Sequence, residues 1–227
     1  MPCTNMAVSR IIEPHTREPR WPAVIALLAV GCLWLALPGR LSLGPGWLLL
    51  AIVMALLLPI VFSHRRGHYR LNRLLTLIAN AVITVAMISS LIFLLEGLPS
   101  HREAPGALLR AAGSLWVTNV LVFALWYWRL DAGGPHERDR HVGLLNSSFL
   151  FPQMLKPGNQ DRDIGPESSS WAPHFVDYLF LAFNTSTAFS PTDTAVLSRS
   201  AKLGMMTQGL ISLAIVVLLA ARGVGIL

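Results

Sequence analysis

The chain has 227 residues, of which 53% are hydrophobic and only 13% are charged, and its mean hydropathy is +0.54. These values exclude an ordinary soluble domain and indicate a protein of the lipid bilayer. Its two cysteines exclude a disulfide scaffold. The formal net charge of +6 does not indicate a nucleic-acid partner, because basic residues in an apolar chain mainly set its orientation in the membrane.

Four apolar runs follow a polar cytoplasmic head at residues 1–20 and predict four transmembrane helices. The runs are Trp21 to Leu37, Trp47 to Phe62, Leu74 to Leu95 and Ala107 to Tyr127. Each is close to the roughly 20 residues that cross the hydrocarbon core of a bilayer. We therefore predict a four-helix transmembrane region over residues 21–128.

Residues 129–172 differ in kind, because Asp, Glu, Arg, Pro, Gly and Ser occur throughout, and they are predicted to form a polar loop without a core of its own. The one apolar stretch of this loop, Phe149 to Leu155, is apolar enough to rest on the bilayer surface. The hydrophobic pattern resumes at Phe175 to Phe189 and again at about Leu203 to Ala221. Residues 173–227 are therefore predicted to form a C-terminal module of two helices.

The predicted fold class is all-α, a polytopic transmembrane helix bundle with about six spans. Its orientation follows from Lys and Arg residues, which resist translocation in short loops. With the N-terminus inside, thirteen basic residues flank the inner ends of the spans and four or five flank the outer ends. This asymmetry predicts that both termini are cytoplasmic.

A polar turn follows the second apolar run and is rich in basic side chains. It contains two histidines, His64 and His68, and four arginines, Arg65, Arg66, Arg70 and Arg73. Two imidazoles without a nearby acid make a poor metal site, whereas arginines at the end of a span interact with anionic lipid headgroups. We therefore predict headgroup contacts for the four arginines, and we expect neither a metal site nor a cofactor.

Polar side chains at helical spacing mark the helix faces that point into the bundle, because a polar group in hydrocarbon needs a partner. They are Thr76, Asn80 and Thr84 in the third span, Asn119 in the fourth, and Gln208 and Ser212 in the last. We interpret these residues as helix-packing signals. The alternative is that they line a solvated pathway.

The fifth segment is shorter and more polar than a typical span. Its polar residues lie near one face of a helix, and two interpretations stay open. They bond to neighbouring helices, or they line a path for an ion or a small polar solute. In the second case the pore-lining candidates are Asp177, Asn184, Thr187, Ser190, Pro191 and Asp193.

Thr187 to Asp193 resembles the filter of bacterial potassium channels, whose signature is Thr-Thr-Val-Gly-Tyr-Gly-Asp. Only Thr187 and Asp193 match, and Ser190 and Thr192 stand in place of the two glycines whose backbone freedom lets carbonyl groups face the ion. The resemblance covers about 50 of the 227 residues and implies a pore-like module, but not potassium selectivity. It also implies a re-entrant fifth segment that enters from outside, whereas the basic residues favour a complete crossing with the loop inside.

Two further stretches are similar to a family of uncharacterised bacterial multi-pass membrane proteins. They are Trp-Arg-Leu-Asp-Ala-Gly-Gly-Pro at residues 128–135 and Ala-Phe-Ser-Pro-Thr-Asp at residues 188–193, and Phe-Pro-Gln-Met at residues 151–154 fits as well. The resemblance implies an integral protein of the bacterial inner membrane. It implies no particular activity.

The chain contains no Gly-x-Ser-x-Gly, His-Glu-x-x-His or Cys-x-x-Cys motif and no phosphate-binding loop, and we do not expect an enzyme. Two hypotheses remain. The first is an oligomeric, ion channel-like or small-solute permeation protein lined by the polar face of residues 177–191. The alternative is a non-transporting structural or interaction protein whose loop at residues 129–172 binds a cytoplasmic partner.

Overall fold

The computed structural model describes residues 18–42, 44–97, 105–140, 147–154, 171–188 and 193–223. In these residues the protein is mostly helical, which confirms the predicted all-α class. The helices are α1 (Trp21–Leu35), α2 (Leu48–Arg65), α3 (Tyr69–Gly97), α4 (Pro105–Leu130), α5 (Pro135–Arg140), α6 (Phe175–Thr187) and α7 (Arg199–Gly223). Two short strands, β1 (Phe149–Leu150) and β2 (Ala195–Val196), pair in antiparallel fashion.

Three helices, α3, α4 and α7, are long and apolar enough to cross a membrane, whereas α1 and α2 are shorter apolar helices. Large apolar side chains cover the outer faces of the bundle, among them Leu58 in α2, Leu74 in α3 and Leu210 in α7, which are 58–70% exposed. A soluble protein rarely exposes so many large apolar side chains together. The exposed faces therefore fit contact with lipid, and the three long helices indicate membrane integration.

Helix α4 lies at the centre of the bundle and contacts α1, α3, α6 and α7. Its fully buried positions include Ala111 and Ala124, whose small side chains let neighbouring helices approach closely. A similar close approach joins α1 to α2, where a Cβ atom on Gly31 would lie 2.8 Å from Cδ1 of Leu50. Small residues at helix contacts thus determine the packing distance in this half of the protein.

The turn between α2 and α3 is tight and depends on Gly67, which has a φ of +74°. Side chains on both sides of the turn hold it in place. Ser63 donates to the carbonyl oxygen of His68 at 2.9 Å, and Nδ2 of Asn72 donates to the carbonyl oxygen of Ile60 at 2.8 Å. The first turns of α3 are therefore fixed against the end of α2.

Helix α6 has 13 residues and is much shorter than α3, α4 or α7. Its first residue, Phe175, packs edge-on against Trp128 at the C-terminal end of α4, with ring centroids 5.9 Å apart. Near its other end, Phe183 packs against Trp116, three turns farther back in α4, with centroids 5.8 Å apart. Helix α6 therefore runs from the C-terminal end of α4 towards its middle.

After α6 the chain comes back to the end of α4 at which α6 began. Strand β2 pairs with β1, and Phe149 of β1 packs against Tyr127 with ring centroids 5.3 Å apart. Helix α7 also starts at this end, because a Cβ atom on Gly204 would lie 3.5 Å from Cε1 of Tyr127. Two turns later, Ser212 accepts a hydrogen bond from Asn119, so α7 runs antiparallel to α4.

The described parts of the predicted polar loop are packed onto the same end of the bundle. Phe149 and Phe151 are 1% and 5% exposed, and both rings contact Tyr178 of α6. The expectation that this apolar stretch rests on the bilayer surface is wrong for these two residues. Aromatic rings of α4 and α6 bury them instead within the protein.

Candidate functional site

The predicted pore-lining residues of α6 lie away from the face that packs inside the chain. The buried residues of α6 are Phe175, Tyr178, Leu181, Ala182, Thr185 and Ser186. On the outward face, Nδ2 of Asn184 donates to the carbonyl oxygen of Phe180 at 3.0 Å. The hydroxyl of Thr187 donates to the carbonyl oxygen of Phe183, also at 3.0 Å. These bonds are internal to α6, so they do not join Asn184 or Thr187 to another helix of the same chain.

The other predicted pore-lining residues are spread along the segment. Asp177 lies in the first turn of α6, where its Oδ2 accepts a hydrogen bond from the backbone N–H of His174 at 2.7 Å and completes a capping box. Asp193 is exposed just before β2. Ser190 and Pro191 lie outside the described residues. Within the described chain, only Asn184 and Thr187 come together. They lie at the C-terminal end of α6, which is called its inner end because it lies within the bundle.

A buried hydrogen-bond network joins α4, α6 and α7 and is centred on Gln208. This side chain is fully buried, and its Oε1 accepts a hydrogen bond from the hydroxyl of Tyr127 at 2.6 Å. Its Nε2 donates to Oγ of Ser186 and to the carbonyl oxygen of Ala182, both at 2.8 Å. Gln208 is the tenth residue of α7. At a rise of 1.5 Å per residue, the last turn of α6 therefore contacts α7 about 15 Å from the N-terminal end of α7.

Farther into the bundle, Asn119 and Ser212 form a second polar contact between α4 and α7. Nδ2 of Asn119 donates to Oγ of Ser212 at 2.7 Å, and both residues are fully buried. Ser212 lies one turn beyond Gln208 along α7. These residues therefore make the interhelical bonds that polar residues at helical spacing make when they pack helices.

The predicted polar stripe of α3 makes one interhelical bond. The hydroxyl of Thr84 accepts a hydrogen bond from Nε1 of Trp126 at 2.9 Å, whereas the hydroxyl of Thr76 donates to the carbonyl oxygen of Asn72 in its own helix. Asn80 lies between them and is 0% exposed, and among the described residues its amide group has no hydrogen-bond partner. The stripe thus faces inward, and within the described part of the chain Thr84 is the member that bonds to α4.

Asp131, which directly follows α4, is a fully buried acid that the sequence did not single out as a site. Its Oδ1 accepts a hydrogen bond from the backbone N–H of Ser148, and its Oδ2 accepts one from the hydroxyl of Tyr178 at 2.6 Å. The Ser147 hydroxyl lies 3.0 Å from Oδ1 and 2.7 Å from the carbonyl oxygen of Phe149, so these acceptors share its single proton. Asp131 therefore fastens both the loop and α6 to the end of α4.

The chain turns sharply after Asp131, because three successive residues have positive φ. These are Ala132, Gly133 and Gly134, with φ of +50°, +80° and +100°. The turn brings α5 back over the end of α4, where Nη1 of Arg138 donates to the carbonyl oxygens of Trp128 and Asp131, each at 2.9 Å. Arg138 thereby satisfies carbonyl groups that the end of a helix leaves without partners.

Arg138 also forms a buried ion pair with Glu18, with Nη2 and Oε2 2.9 Å apart and both side chains less than 10% exposed. The other carboxylate oxygen of Glu18 accepts a hydrogen bond from Nε1 of Trp128. Burial by itself lowers the pKa of Arg138, but electrostatic interactions with Tyr178 and Glu18 outweigh it and raise that pKa above its ordinary value. The cluster thus joins the residues before α1 to α4, α5 and α6.

The arginines predicted to contact lipid headgroups lie at this same end of the bundle. Arg66, Arg70 and Arg73 are exposed, and the guanidinium of Arg66 lies 4.0 Å from the centre of the Phe62 ring. The side chain of Arg65 lies outside the described part of the chain. This exposure is compatible with headgroup contacts, which stay a prediction.

Within the described residues, no group of three or more His, Cys, Asp or Glu side chains is placed to hold a metal ion. Comparisons with protein-family models, with curated proteins and with solved structures find no match to this chain. Membership of the bacterial multi-pass family and the likeness to a potassium-channel pore therefore stay predictions from sequence. The geometry around α6 and the end of α4 is what bears on function.

Proposed function

We propose that the protein is an oligomeric permeation protein for an ion or small polar solute, in which α6 enters the membrane and leaves it at the same end. The main support is the path of the chain, since both Phe175 and the β1–β2 pair lie at the C-terminal end of α4. With 13 residues, α6 is about 20 Å long, and a hydrocarbon core is about 30 Å thick. The sequence favoured a complete crossing, whereas this path supports the re-entrant alternative.

A re-entrant α6 reduces the number of crossings to five, made by α1, α2, α3, α4 and α7. Fourteen of the 18 basic residues then flank the cytoplasmic end, and four flank the outer end. The asymmetry in basic residues is larger than for six crossings, because Arg199 and Lys202 move from the outer end of the bundle to the cytoplasmic end. This arrangement agrees better with the orientation rule for basic residues, and it puts the end of α7 outside.

The direction of α6 favours a cation over an anion as the permeating species. A half-helix that ends inside the bilayer points one end of its dipole into the membrane, and for α6 this is the negative, C-terminal end. Helix ends of this kind occur where they line a polar cavity. Asn184 and Thr187, in the last turn and a half of α6, add amide and hydroxyl oxygens at the same depth.

The outward direction of Asn184 and Thr187 supports a pathway between subunits rather than within one chain. Their nearest outward neighbours, Phe180 and Phe183, are 61% and 45% exposed. Such rings provide apolar contact area beside the polar groups, as subunit interfaces require. An oligomer would therefore bring together several copies of the inner end of α6.

Flux through the purified protein in liposomes tests this function. We expect the double substitution Asn184→Leu and Thr187→Leu to abolish cation flux, because it removes the polar side chains at the inner end of α6. Ser89→Leu is the matched control, since the Ser89 hydroxyl is exposed on α3 and bonds to the carbonyl oxygen of its own helix at Val85, as Thr187 does in α6. Unchanged flux in the double variant, or an equal loss in Ser89→Leu, would contradict the proposal.

The re-entrant path has its own test in a background that lacks Cys3 and Cys32. Single cysteines at Ser169 and Ser200 flank α6, and an impermeant maleimide reports the side of each. Labelling of both from the cytoplasmic side supports the re-entrant α6, and labelling from opposite sides shows a complete crossing. Labelling of both from outside keeps the re-entrant path but reverses the orientation, as in the potassium-channel arrangement.

The alternative function, a structural or interaction protein with a partner-binding loop, is less favoured. The described parts of residues 129–172 are used within the chain itself, since Ser147, Ser148 and Phe149 hold α6 and the end of α4 together. A loop with these internal contacts has less surface left for a partner. Absence of any flux through the intact protein would nevertheless return this alternative to first place.

A further inference from the structure

Helix α2 stops short of α3 at the outer end of the bundle, which is the end opposite to the C-terminal end of α4. The tight turn at Gly67 puts the last turn of α2 beside the first turn of α3, and the two helices pack against each other. Helix α2 has 18 residues and is about 27 Å long, whereas α3 has 29 residues and is about 43 Å long. Helix α3 therefore continues about 16 Å beyond the level at which α2 begins.

A direct contact gives a similar level for the α1–α2 turn, which comprises residues 36–42 and 44–47. The hydroxyl of Ser90 donates to the carbonyl oxygen of Leu41 at 2.5 Å, and both residues are buried. Leu41 ends a short 3-10 helix, Gly39–Leu41, that packs on α3. Ser90 lies seven residues before Gly97, the last residue of α3, so the α1–α2 turn contacts α3 about 10 Å below its end.

The lipid-facing side of α3 shows how far the hydrocarbon extends away from this turn. Ile92 and Leu95 are 46% and 42% exposed, and Glu96 is the first charged residue after the long apolar run of α3. A charged side chain is costly in hydrocarbon, so the hydrocarbon on this side extends to about Leu95. The α1–α2 turn contacts Ser90, which lies six residues and about 9 Å before Glu96.

The backbone of the α1–α2 turn is exposed at this depth. Leu37 and Leu41 are buried, but Ala36 and Gly39 are exposed. Irregular backbone that is exposed to lipid does not occur within the hydrocarbon, because its polar groups would have no partners. The turn also contains Arg40, and an arginine at such a depth is costly unless water or headgroups reach it.

We propose that the outer surface of the bilayer dips beside α1 and α2, so that lipid headgroups and their water reach the α1–α2 turn. The hydrocarbon beside these two helices is then about 20 Å thick instead of about 30 Å. The apolar parts of α1 and α2, Trp21–Leu35 and Leu48 to Phe62, fit this thickness, since 15 residues span about 22 Å. Trp47, directly before α2, is 62% exposed, and exposed tryptophans at helix ends are typical of the interface.

The dip does not depend on the proposed permeation or on the path of α6. It needs only that α3 crosses the membrane, and in the reversed orientation the same dip lies in the other leaflet. The partner of this surface is the interfacial layer of the bilayer itself. A thinner hydrocarbon layer lowers the cost of a polar or charged group on this side of the protein.

Spin labels on single cysteines in phosphatidylcholine vesicles test the dip, in the background that lacks Cys3 and Cys32. Gly39→Cys puts a label on the α1–α2 turn, where no atom lies within 4 Å of an added Cβ. Ile92→Cys is the matched control, because Ile92 is exposed on α3 and lies about 3 Å nearer to the outer end than Ser90. We expect a water-soluble nickel chelate to relax the Gly39 label severalfold more than the Ile92 label, and oxygen to relax the Ile92 label more. The dip is overturned if oxygen is the stronger relaxant at Gly39, or if the nickel chelate reaches both labels equally.

Fluorescence quenching at the same two cysteines separates a dip of the bilayer from a vestibule that contains water alone. A bimane label at Gly39 should be quenched severalfold more than one at Ile92 by phosphatidylcholine with a nitroxide on its headgroup. A nitroxide in the middle of the acyl chain should show the reverse preference. A Gly39 label that the nickel chelate reaches but the headgroup nitroxide does not quench would contradict the dip and indicate a vestibule closed to lipid. If Gly39→Cys fails to fold, Gly46→Cys replaces it, because the space beside Gly46 in the same turn is also open.

Discussion

Replacement of Tyr178 by phenylalanine removes one hydroxyl from the buried contact that holds α6 against the end of α4. This hydroxyl donates to Oδ2 of Asp131 at 2.6 Å, and both residues are 0% exposed. The backbone N–H of Ser148 donates to the other oxygen, which fits an ionised carboxylate, because that group only accepts hydrogen bonds. We therefore expect Tyr178→Phe to destabilise the folded protein.

The size of the effect follows from the charge on the acceptor. A hydrogen bond to a charged group contributes about 1.5–3 kcal/mol to the free energy of unfolding. The Ser147 hydroxyl lies 3.3 Å from Oδ2 and can turn towards it, at the expense of its bond to the Phe149 carbonyl. This replacement donor reduces the loss, and we expect Tyr178→Phe to cost about 2 kcal/mol.

Tyr127→Phe is a matched control for this measurement. The Tyr127 hydroxyl donates over the same distance, 2.6 Å, and Tyr127 is 3% exposed, but its acceptor is the neutral amide of Gln208. A neutral hydrogen bond contributes about 0.5–1.5 kcal/mol. Reversible unfolding of both variants in mixed micelles, followed by tryptophan fluorescence, should show that Tyr178→Phe is roughly twice as destabilising as Tyr127→Phe.

Equal losses in the two variants, or a smaller loss for Tyr178→Phe, would refute this reasoning. Such a result would mean that Asp131 is protonated and does not need the tyrosine as a donor. A double-mutant cycle with Asp131→Asn isolates the effect of the charge. In the Asp131→Asn background, we expect Tyr178→Phe to cost no more than Tyr127→Phe does in the wild-type protein.

Two further substitutions test the turn after α4 and the network around Gln208. Each is compared with a control substitution in the same helix or the preceding one, by thermal unfolding of purified protein. Gly134→Ala should destabilise by about 1–3 kcal/mol, because φ of +100° and ψ of 173° are open almost only to glycine. Gly113→Ala, with open space inside α4, should be neutral or stabilising by up to about 1 kcal/mol. Gln208→Leu should cost about 2 kcal/mol, since it leaves the buried Tyr127 hydroxyl without an acceptor. Its control, Thr207→Leu on the exposed face of α7, should change stability by less than about 0.5 kcal/mol. Equal effects of a substitution and its control would contradict the corresponding prediction.

The apolar runs of the sequence predicted the long helices well, because hydrophobic length reports the part of a helix that contacts hydrocarbon. The helices themselves extend farther. Helix α3 begins at Tyr69, whereas the apolar run begins at Leu74, and α7 begins at Arg199, before the run at Leu203. Hydropathy cannot locate these polar turns, because a helix continues through the interface with the same backbone bonds.

The path of the chain around α6 was not accessible from composition. A crossing segment and a re-entrant segment of this length contain the same kinds of residues. The proposed re-entrant path is supported by the pairing of Phe149 with Val196 and of Leu150 with Ala195. Two strands of two residues each leave no alternating pattern in the sequence, and 44 residues lie between the two strands. Only the contacts of the folded chain show that the residues after α6 lie at the same end of α4 as its first residue.

Asp131 did leave a signal in the sequence, although not one that a motif search detects. An acid at the C-terminal end of a helix meets the negative end of the dipole, which is unfavourable unless other groups stabilise its charge. At the end of an apolar run it also faces burial, which raises the need for hydrogen-bond donors. The donors come from Ser148 and Tyr178, which are distant in sequence. Asp131 therefore predicts that distant segments fold back onto the end of α4, but not which ones.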